Sequence, residues 1–429
     1  MTIFERTRLK RATVGKIAAS LLAILLGASC GAPQVDDGGP AQVSDDRTAR
    51  PRGSRFSREA LDAMNFALKW ELETKRQNFV HMALQGDALY AVTSDHLLYS
   101  ISIDKGVVNW IYTIGEPLSY SPYVYSYKAT EDSGVVRYDE VILLSGDRLR
   151  VVDKDTGELV WRKDLPFSVA SPAAATPDAI MIGSWDDRVY AISKKAPHGK
   201  TWMWRTSGDI RAAGAEYDPI YIAVSDDGGI YAFNQLRGEH RWTQKTKAQI
   251  TARPLVHKDR LYVGSTDYSL YCIDLVQSAL QWRFETGGPI HQSPVVIRDK
   301  VYVISRDGVL SAIHRVQGTA SGAEKEYVAG QKAWQVKLGR KNFGRSSSTR
   351  VLCRGRDDLY VLNERHEVVA INDATGQMKW KVPFRAVDFF SVNHNNPSAR
   401  TEQVSDRSGT IFVGFRDGWF YALKEKSEY

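Results

Sequence analysis

Short apolar runs separated by tight polar turns occupy most of this chain. Representative stretches are VGSTDYSLYCI at 263–273 and VISRDGVLSAI at 303–313, in which a Ser-x-Asp turn separates two apolar runs. Runs of about four to eight residues, rich in Val, Ile and Tyr and bounded by Ser, Asp and Gly, are typical of β-strands joined by hairpin turns. The pattern therefore predicts an all-β chain made of consecutive antiparallel hairpins.

The same unit recurs at a spacing of about 40 residues. Its best copies end in Asp/Asn-x-x-Thr-Gly-x-x-x-Trp, at 153–161 and 372–380. We assign eight tryptophans to this position of the repeat: Trp70, Trp110, Trp161, Trp204, Trp242, Trp282, Trp334 and Trp380. The aspartates of the Ser-x-Asp turns follow the same spacing: Asp147, Asp187, Asp227, Asp267 and Asp307.

Repeats of this length that contain several short strands are typical of a β-propeller. We predict eight four-stranded antiparallel blades, with seven blades as the alternative. The tryptophan strand around Trp70 has no blade before it, and the segment 381–429 lacks a closing tryptophan strand. We therefore expect the N-terminal strand to complete the last blade and close the ring, which leaves no exposed sheet edge at the join.

The N-terminal residues have the composition of an export signal. A basic segment is followed by the apolar run Ile17–Leu26 and the small residues 27–29 before Cys30. We predict a lipoprotein-type signal peptide at 1–29, acylation of Cys30, a flexible tether at 30–56 and a propeller domain at 57–429. The alternative is ordinary secretory cleavage nearby, with Cys30 an incidental thiol.

The charge of the chain argues against nucleic acid as a partner. The net charge is +7, but residues 1–29 carry five cations and one anion, so only +3 remains for the rest. A charge this small, spread over eight blades, gives no basic stripe that could hold a phosphate backbone.

The sequence offers little catalytic chemistry. Cys272 and Cys353 fall two blades apart, so we expect two unpaired buried thiols. The nine histidines lack the paired spacing of metal ligands, and the pair Asp186-Asp187 sits at a hairpin turn, where capping of backbone amides is the expected role. We expect no catalytic residue, no metal and no cofactor.

The repeat phrases, together with Ser-Pro pairs at 121–122, 171–172 and 293–294, resemble the pyrroloquinoline-quinone (PQQ)-like propeller repeat over about residues 66–425. This repeat family includes quinone-dependent dehydrogenases and binding proteins without a cofactor. The resemblance implies that a dehydrogenase of this family would carry two adjacent cysteines beside the cofactor, and this sequence has no adjacent cysteines. The order of signal, tether and bare eight-bladed ring looks most like the BamB family, the lipoprotein subunits of the outer-membrane β-barrel assembly machinery.

That resemblance implies a lipid-anchored, non-enzymatic scaffold at the outer membrane, facing the periplasm. Its partner would be an envelope protein, and most specifically the central outer-membrane barrel assembly protein. This chain would be a monomer within the complex. Two alternatives stay open. One is a periplasmic or surface propeller that binds a small molecule or a glycan, and the other is a PQQ-dependent dehydrogenase.

Irregular segments that interrupt the repeat are the candidates for partner binding. They are Lys128–Arg137, Lys194–Thr201, Arg315–Lys332 and Ser391–Ser408. Loops around Phe343 and Asn395 are further candidates, and the basic stretch Gly339–Arg350 is a candidate for an anion or an acidic partner. The residues that bind the partner are not identified from the sequence.

Overall fold

The computed structural model describes residue 56 and residues 58–74, 78–131, 134–195, 197–319, 326–339, 349–383, 387–390, 410–415 and 418–426. All of them belong to one compact unit, residues 40–429. The predicted signal peptide, Cys30 and nearly all of the tether lie outside the described residues.

The described part of the chain folds into eight four-stranded antiparallel sheets arranged as the blades of a propeller, which confirms the predicted fold. A short helix, α1 (Arg58–Ala63), and β1 (Phe66–Glu73) come first. Blade 1 follows with β2 (Phe79–Gln85), β3 (Ala88–Thr93), β4 (Leu97–Ser102) and β5 (Val108–Thr113). Blade 2 has β6 (Tyr123–Glu131), β7 (Gly134–Ser145), β8 (Arg148–Asp153) and β9 (Leu159–Asp164).

Blades 3 to 5 keep the same order. Blade 3 has β10 (Ala174–Ala175), β11 (Ala179–Gly183), β12 (Arg188–Ser193) and β13 (Lys200–Arg205). Blade 4 has β14 (Ala215–Tyr217), β15 (Ile220–Val224), β16 (Gly229–Asn234) and β17 (His240–Lys245). Blade 5 has β18 (Leu255–His257), β19 (Arg260–Gly264), β20 (Ser269–Asp274) and β21 (Ala279–Glu285).

The last three blades include one insertion and the closure. Blade 6 has β22 (Val295–Ile297), β23 (Lys300–Ile304), β24 (Val309–His314) and β27 (Lys332–Lys337), with the small hairpin β25 (Gly318–Thr319) and β26 (Glu326–Tyr327) inserted before β27. Blade 7 has β28 (Arg350–Arg354), β29 (Asp358–Leu362), β30 (Glu367–Asn372) and β31 (Met378–Pro383). Blade 8 has β32 (Val387–Phe390), β33 (Thr410–Phe415) and β34 (Trp419–Glu425).

The N-terminal strand completes blade 8 and closes the ring, as the sequence predicts. β1 pairs antiparallel with β34, and Trp70 lies opposite Ala422. Both ends of the described chain are therefore held in one sheet, and β34 has no free edge. Next to this sheet, Leu61 and Met64 are buried against blades 7 and 8.

The hydrophobic core lies between blades. The central strands are buried on both faces, whereas the fourth strand alternates between exposed and half-buried positions, as in β5. Met181 of blade 3, for example, belongs to one buried cluster with Tyr221 and Phe233 of blade 4. Each blade thus stabilises its neighbour by removing apolar surface from water.

A tryptophan of one blade packs against a glycine of the next. A Cβ atom on Gly106 would come 2.5 Å from the Trp70 ring, and one on Gly376 would come 2.7 Å from the Trp334 ring. Both glycines have positive φ, at 69° and 74°. The glycine at this position of the repeat therefore both tolerates the left-handed backbone and lets the tryptophan approach. The same contact joins Gly157 to Trp110, Gly238 to Trp202 and Gly330 to Trp282.

The sequence repeat predicts Trp204 for this place in blade 3, and that assignment is wrong. Trp202 lies opposite Ala191, contacts Gly238 and donates from Nε1 to the Gln235 carbonyl at 3.0 Å. Trp204 lies two residues further along β13. The repeat spacing is misleading because β13 contains two tryptophans, and only the strand register distinguishes them.

Candidate functional site

Each blade presents turns on two faces of the propeller. The upper face carries the turn between the second and third strands of each blade and the link to the next blade, and the lower face carries the other two turns. Because strand interiors are used for packing, the side chains of these turns are where recognition is expected.

The upper-face turns of blades 3 to 5 each contain the same kind of hydrogen bond, in which a tyrosine hydroxyl donates to an aspartate four residues earlier in the chain. This bond fixes the turn onto the third strand of its own blade, so the residues beside the aspartate are held in place. The pairs are Tyr190 with Asp186 at 2.6 Å, Tyr231 with Asp227, and Tyr271 with Asp267 at 2.6 Å.

The carboxylates of Asp186 and Asp227 are held in the charged form, because the pKa of each lies below its ordinary value. Burial raises the pKa of Asp227, but hydrogen bonds from the Tyr231 hydroxyl and the Gly229 amide outweigh it, and the net pKa lies below the ordinary value. Burial also raises the pKa of Tyr271 to about 12, with the hydrogen bond to Asp267 adding to the effect. Asp186 and Asp227 are therefore charged acceptors for a structural bond.

The spacing of the sequence repeat predicts Asp187 as the turn aspartate of blade 3, and this is wrong. Asp186 accepts the tyrosine bond, whereas Asp187 adopts a positive φ of 62°. Asp187 thus occupies the left-handed position that Gly228 fills in blade 4, directly after the accepting aspartate.

Links between blades are anchored to the same turns. The backbone amide of Ser207 donates to Asp227 Oδ2 at 3.3 Å, and that of Lys247 donates to Asp267 Oδ2 at 2.9 Å. The upper faces of blades 3, 4 and 5 are therefore connected by hydrogen bonds into one continuous surface.

Two arginines and a histidine lie on this surface. Arg211 forms an ion pair with Asp226, and His291 Nδ1 lies 2.9 Å from the Thr251 hydroxyl. Burial lowers the pKa of His291, and the nearby charges of Arg306 and Arg211 lower it further. The histidine is therefore neutral at pH 7, and the positive charge of this region comes from its arginines.

Large aromatic side chains are exposed on turns of the same face. Trp185 is 54% exposed in the blade 3 turn, and Tyr268 is 51% exposed in the blade 5 turn. Exposed Trp, Tyr and Arg on a rigid surface are typical of the residues that dominate protein–protein binding energy. We call this set the aromatic–arginine surface: Trp185, Arg211, Asp226, Tyr268, His291 and Arg306.

Sequence reasoning about insertions did not identify this surface, because its residues lie inside regular repeats. The signal is a departure from the repeat at two turn positions. Tyr268 has a φ of 70°, at the position where Gly228 and Gly308 stand. Trp185 replaces the polar residues that other blades carry there: Asp226, Thr266 and Arg306.

A cation also lies at the centre of the ring, where first strands of neighbouring blades contact each other. Arg253 donates to the Gly214 carbonyl at 2.9 Å, and its guanidinium lies 5.7 Å from the ring centre of Tyr123 in blade 2. Arg253 therefore connects blades 2, 4 and 5 across the channel by a hydrogen bond and a cation–π contact.

The two described cysteines are free and buried, as expected from their positions in the repeat. Burial raises the pKa of Cys272 to about 12 and raises that of Cys353 as well, so both thiols stay protonated and unreactive at neutral pH. Across the described ranges, no group of His, Cys, Asp and Glu side chains is arranged to hold a metal ion. No helix in this part of the chain is long and apolar enough to cross a membrane.

The predicted binding loops have different outcomes. Residues 128–137 are mostly an extension of the β6–β7 hairpin, so the prediction of an irregular segment there is wrong. The segment 315–332 contains the paired strands β25 and β26. In the segment 194–201 the last two residues begin β13, and the ring of His198 stacks on that of Trp161 with ring centres 4.1 Å apart. Phe343, Asn395 and the segment 391–408 lie outside the described residues, as does most of Gly339–Arg350.

Comparisons with solved structures show the same fold. The crystal structure of BamB from Moraxella catarrhalis superposes with a TM-score of 0.63 and 17% identity, and the match covers 85% of this chain and 99% of that one. The computationally designed Ika8 protein superposes with a TM-score of 0.55 and 13% identity, over 83% of this chain and 99% of that one. No curated protein sequence matches the chain.

The family comparison extends over nearly all of the sequence. The family model described as outer membrane protein assembly factor BamB matches residues 37–208, 144–252 and 226–423. These overlapping matches extend from before the first blade into β34, the last strand of the chain. The chain therefore belongs to the family of the outer membrane protein assembly factor BamB.

Proposed function

We propose that this protein is a lipid-anchored, non-enzymatic scaffold of the outer membrane that faces the periplasm and docks a component of outer-membrane protein assembly. Family membership supports a protein-interaction role in the cell envelope. Acylation of Cys30 would supply the anchor, and the tether at 30–56 would let the propeller reach its partner.

The aromatic–arginine surface is the observation that carries this proposal. Trp185 and Tyr268 together expose two large rings, while the turns that hold them are fixed by hydrogen bonds to Asp186 and Asp267. A rigid turn with an exposed ring loses little conformational entropy when a partner binds. Arg211, paired with Asp226, adds a charged contact that a polar rim of the partner can use.

The quinone dehydrogenase is disfavoured by the chain's own residues. Cys272 and Cys353 are buried on separate blades, so they cannot form the adjacent cysteine pair of those enzymes. The channel cation, Arg253, is already used to join three blades. Protein binding on the upper face is therefore the function that the geometry supports best.

A paired substitution tests the surface. In the full-length chain, Trp185→Ala with Tyr268→Gly removes both exposed rings, and we expect at least about tenfold less partner protein to be retained from detergent-solubilised envelope. The matched control is Leu236→Ala with Val276→Ala, which removes side chains that are 56% and 72% exposed on the lower face. Equal retention by the two double variants would remove the upper face from consideration.

A further inference from the structure

The rim of the propeller is formed by the eight fourth strands, whose outer edges pair with no other strand among the described residues. Unpaired edges attract further strands, and proteins commonly block such pairing with lysine and other charged residues. Seven of the eight rim strands carry Lys or Arg: β1, β9, β13, β17, β21, β27 and β31.

The exception is β5 of blade 1. Its sequence, VNWIYT, contains no charged residue, and the uncharged stretch continues from Gly106 to Gly115. Val, Ile, Tyr, Trp and Thr are the residues with the highest preference for strands. Asn109, Ile111 and Thr113 are exposed along this strand, and Ile111 is 49% exposed.

The repeat shows what normally stands at the position of Ile111, directly after the rim tryptophan. The equivalent residues in the other blades are Glu71, Arg162, Met203, Thr243, Arg283, Gln335 and Lys381. Six of these seven are polar. Ile111 is therefore a departure from the repeat at a site where an isoleucine does not contribute to a buried core.

We propose that β5 pairs with β5 of a second copy of this chain, antiparallel and around a two-fold axis at Ile111. In such a pairing a strand meets itself, so a charged rim strand would bring like charges close together, which is destabilising. β5 carries no charged residue, so it avoids this repulsion in every register. Ile111 would face Ile111 of the second copy, and Asn109 would face Thr113, two uncharged side chains that can hydrogen-bond.

A different protein does not need a neutral edge, because it can match Lys and Arg on any other rim strand with acidic residues of its own. The missing charge therefore points to self-pairing. The rim is separate from the aromatic–arginine surface, so this pairing leaves the upper face accessible and does not rest on the proposed docking function. It replaces the monomer expected from the resemblance with a dimer.

Disulfide trapping tests the pairing in the envelope of the host cell. In an antiparallel pair, opposite Cα atoms lie about 4.5–5.5 Å apart, within the range that a disulfide bridges. For full-length Ile111→Cys we expect a reducible species of twice the chain mass. Thr243→Cys is the matched control, because it has the same place on β17 of blade 4, where Arg241 and Lys245 flank it. Equal cross-linking at both positions overturns the proposal.

A charge insertion gives a second readout that does not depend on cross-linking. Ile111→Arg introduces the residue that blades 2 and 5 already carry at this place, Arg162 and Arg283, so the fold is retained. For the full-length chain purified in detergent, we expect light scattering to show a dimer that Ile111→Arg weakens by about tenfold. A wild-type chain that stays monomeric at every concentration, or an Ile111→Cys variant that captures a different protein, contradicts the proposal.

Discussion

At the scale of single residues, stability depends on glycines that allow a tryptophan to approach from the preceding blade. Gly376 shows both requirements, since its φ is 74° and a Cβ atom would lie 2.7 Å from the Trp334 ring. Trp334 is itself 6% exposed and donates from Nε1 to the Asp373 carbonyl at 2.8 Å. The ring is therefore fixed and cannot move aside for a methyl group.

Gly376→Ala should lower the free energy of unfolding by about 2–4 kcal/mol, because a left-handed alanine and an overpacked ring both cost energy. Gly86→Ala is the control. Gly86 also has a positive φ, at 59°, but no atom lies within 4 Å of its Cβ position, so only the backbone cost of about 1–2 kcal/mol applies. Denaturant unfolding measures both variants, and equal losses would show that the tryptophan contact does not matter.

Single residues also distinguish the aromatic–arginine surface from the rest of the fold. Tyr268 adopts a φ of 70°, a backbone angle that is unfavourable for every residue except glycine and, to a lesser extent, asparagine. Its ring is half exposed, so burial of the ring does little to offset this cost. A strained, exposed aromatic at a position that glycine fills in neighbouring blades is consistent with selection for binding.

At the scale of elements, the blades are joined by buried ionic contacts as well as by apolar packing. Asp373, at the end of β30 in blade 7, accepts from Tyr302 of blade 6 and from Arg354 Nε at 2.9 Å. Lys300 of blade 6 lies 3.4 Å from the same carboxylate. Asp373 and Arg354 are almost fully buried, so each needs the other.

This network should make the chain sensitive to acid. Burial raises the pKa of Asp373, but the Tyr302 hydrogen bond and the charges of Lys300 and Arg354 outweigh it, so the folded pKa lies below the ordinary value of 3.8. The unfolded chain therefore takes up its proton at higher pH. The stabilisation is complete above about pH 5 and is lost as the pH falls through 3.8 towards the folded pKa.

Asp373→Asn should cost about 3 kcal/mol at pH 7, because it leaves Arg354 buried without its carboxylate partner. The difference from the wild-type chain should shrink as the pH falls from about 5 to about 3. Urea unfolding across this pH range measures it. The control is Asp164→Asn, which removes an ion pair of the same length, 2.9 Å, from an exposed site with Arg148 and should change stability little. A difference that is independent of pH would exclude the network as its cause.

Most elements follow from the sequence because strand and turn signals repeat in every blade. Errors occur where a local feature imitates the repeat or interrupts it. Trp204 satisfies the spacing but Trp202 satisfies the register, which depends on how β13 pairs with β12. Residues 128–131 and 134–137 have no repeat counterpart, and they lengthen β6 and β7 by further antiparallel pairing.

At the scale of the whole molecule, periodicity predicts the blade number and the closure, since the unpaired first strand and the incomplete last blade fit only each other. The functional surface is different in kind. Trp185 and Tyr268 lie in separate blades with blade 4 between them, and their turns share one face because every blade has the same strand order. Periodicity describes what the blades share, whereas recognition depends on where they differ.

The measurement that tests the account most directly is identification of the protein at the upper face in living cells. A photo-crosslinking amino acid at position 185 would replace Trp185, and the same residue at position 276 on the lower face is the control. We predict that mass spectrometry recovers a component of outer-membrane protein assembly from position 185 and not from position 276. Recovery of no protein at position 185, or of the same proteins at both positions, would contradict a docking function for the aromatic–arginine surface.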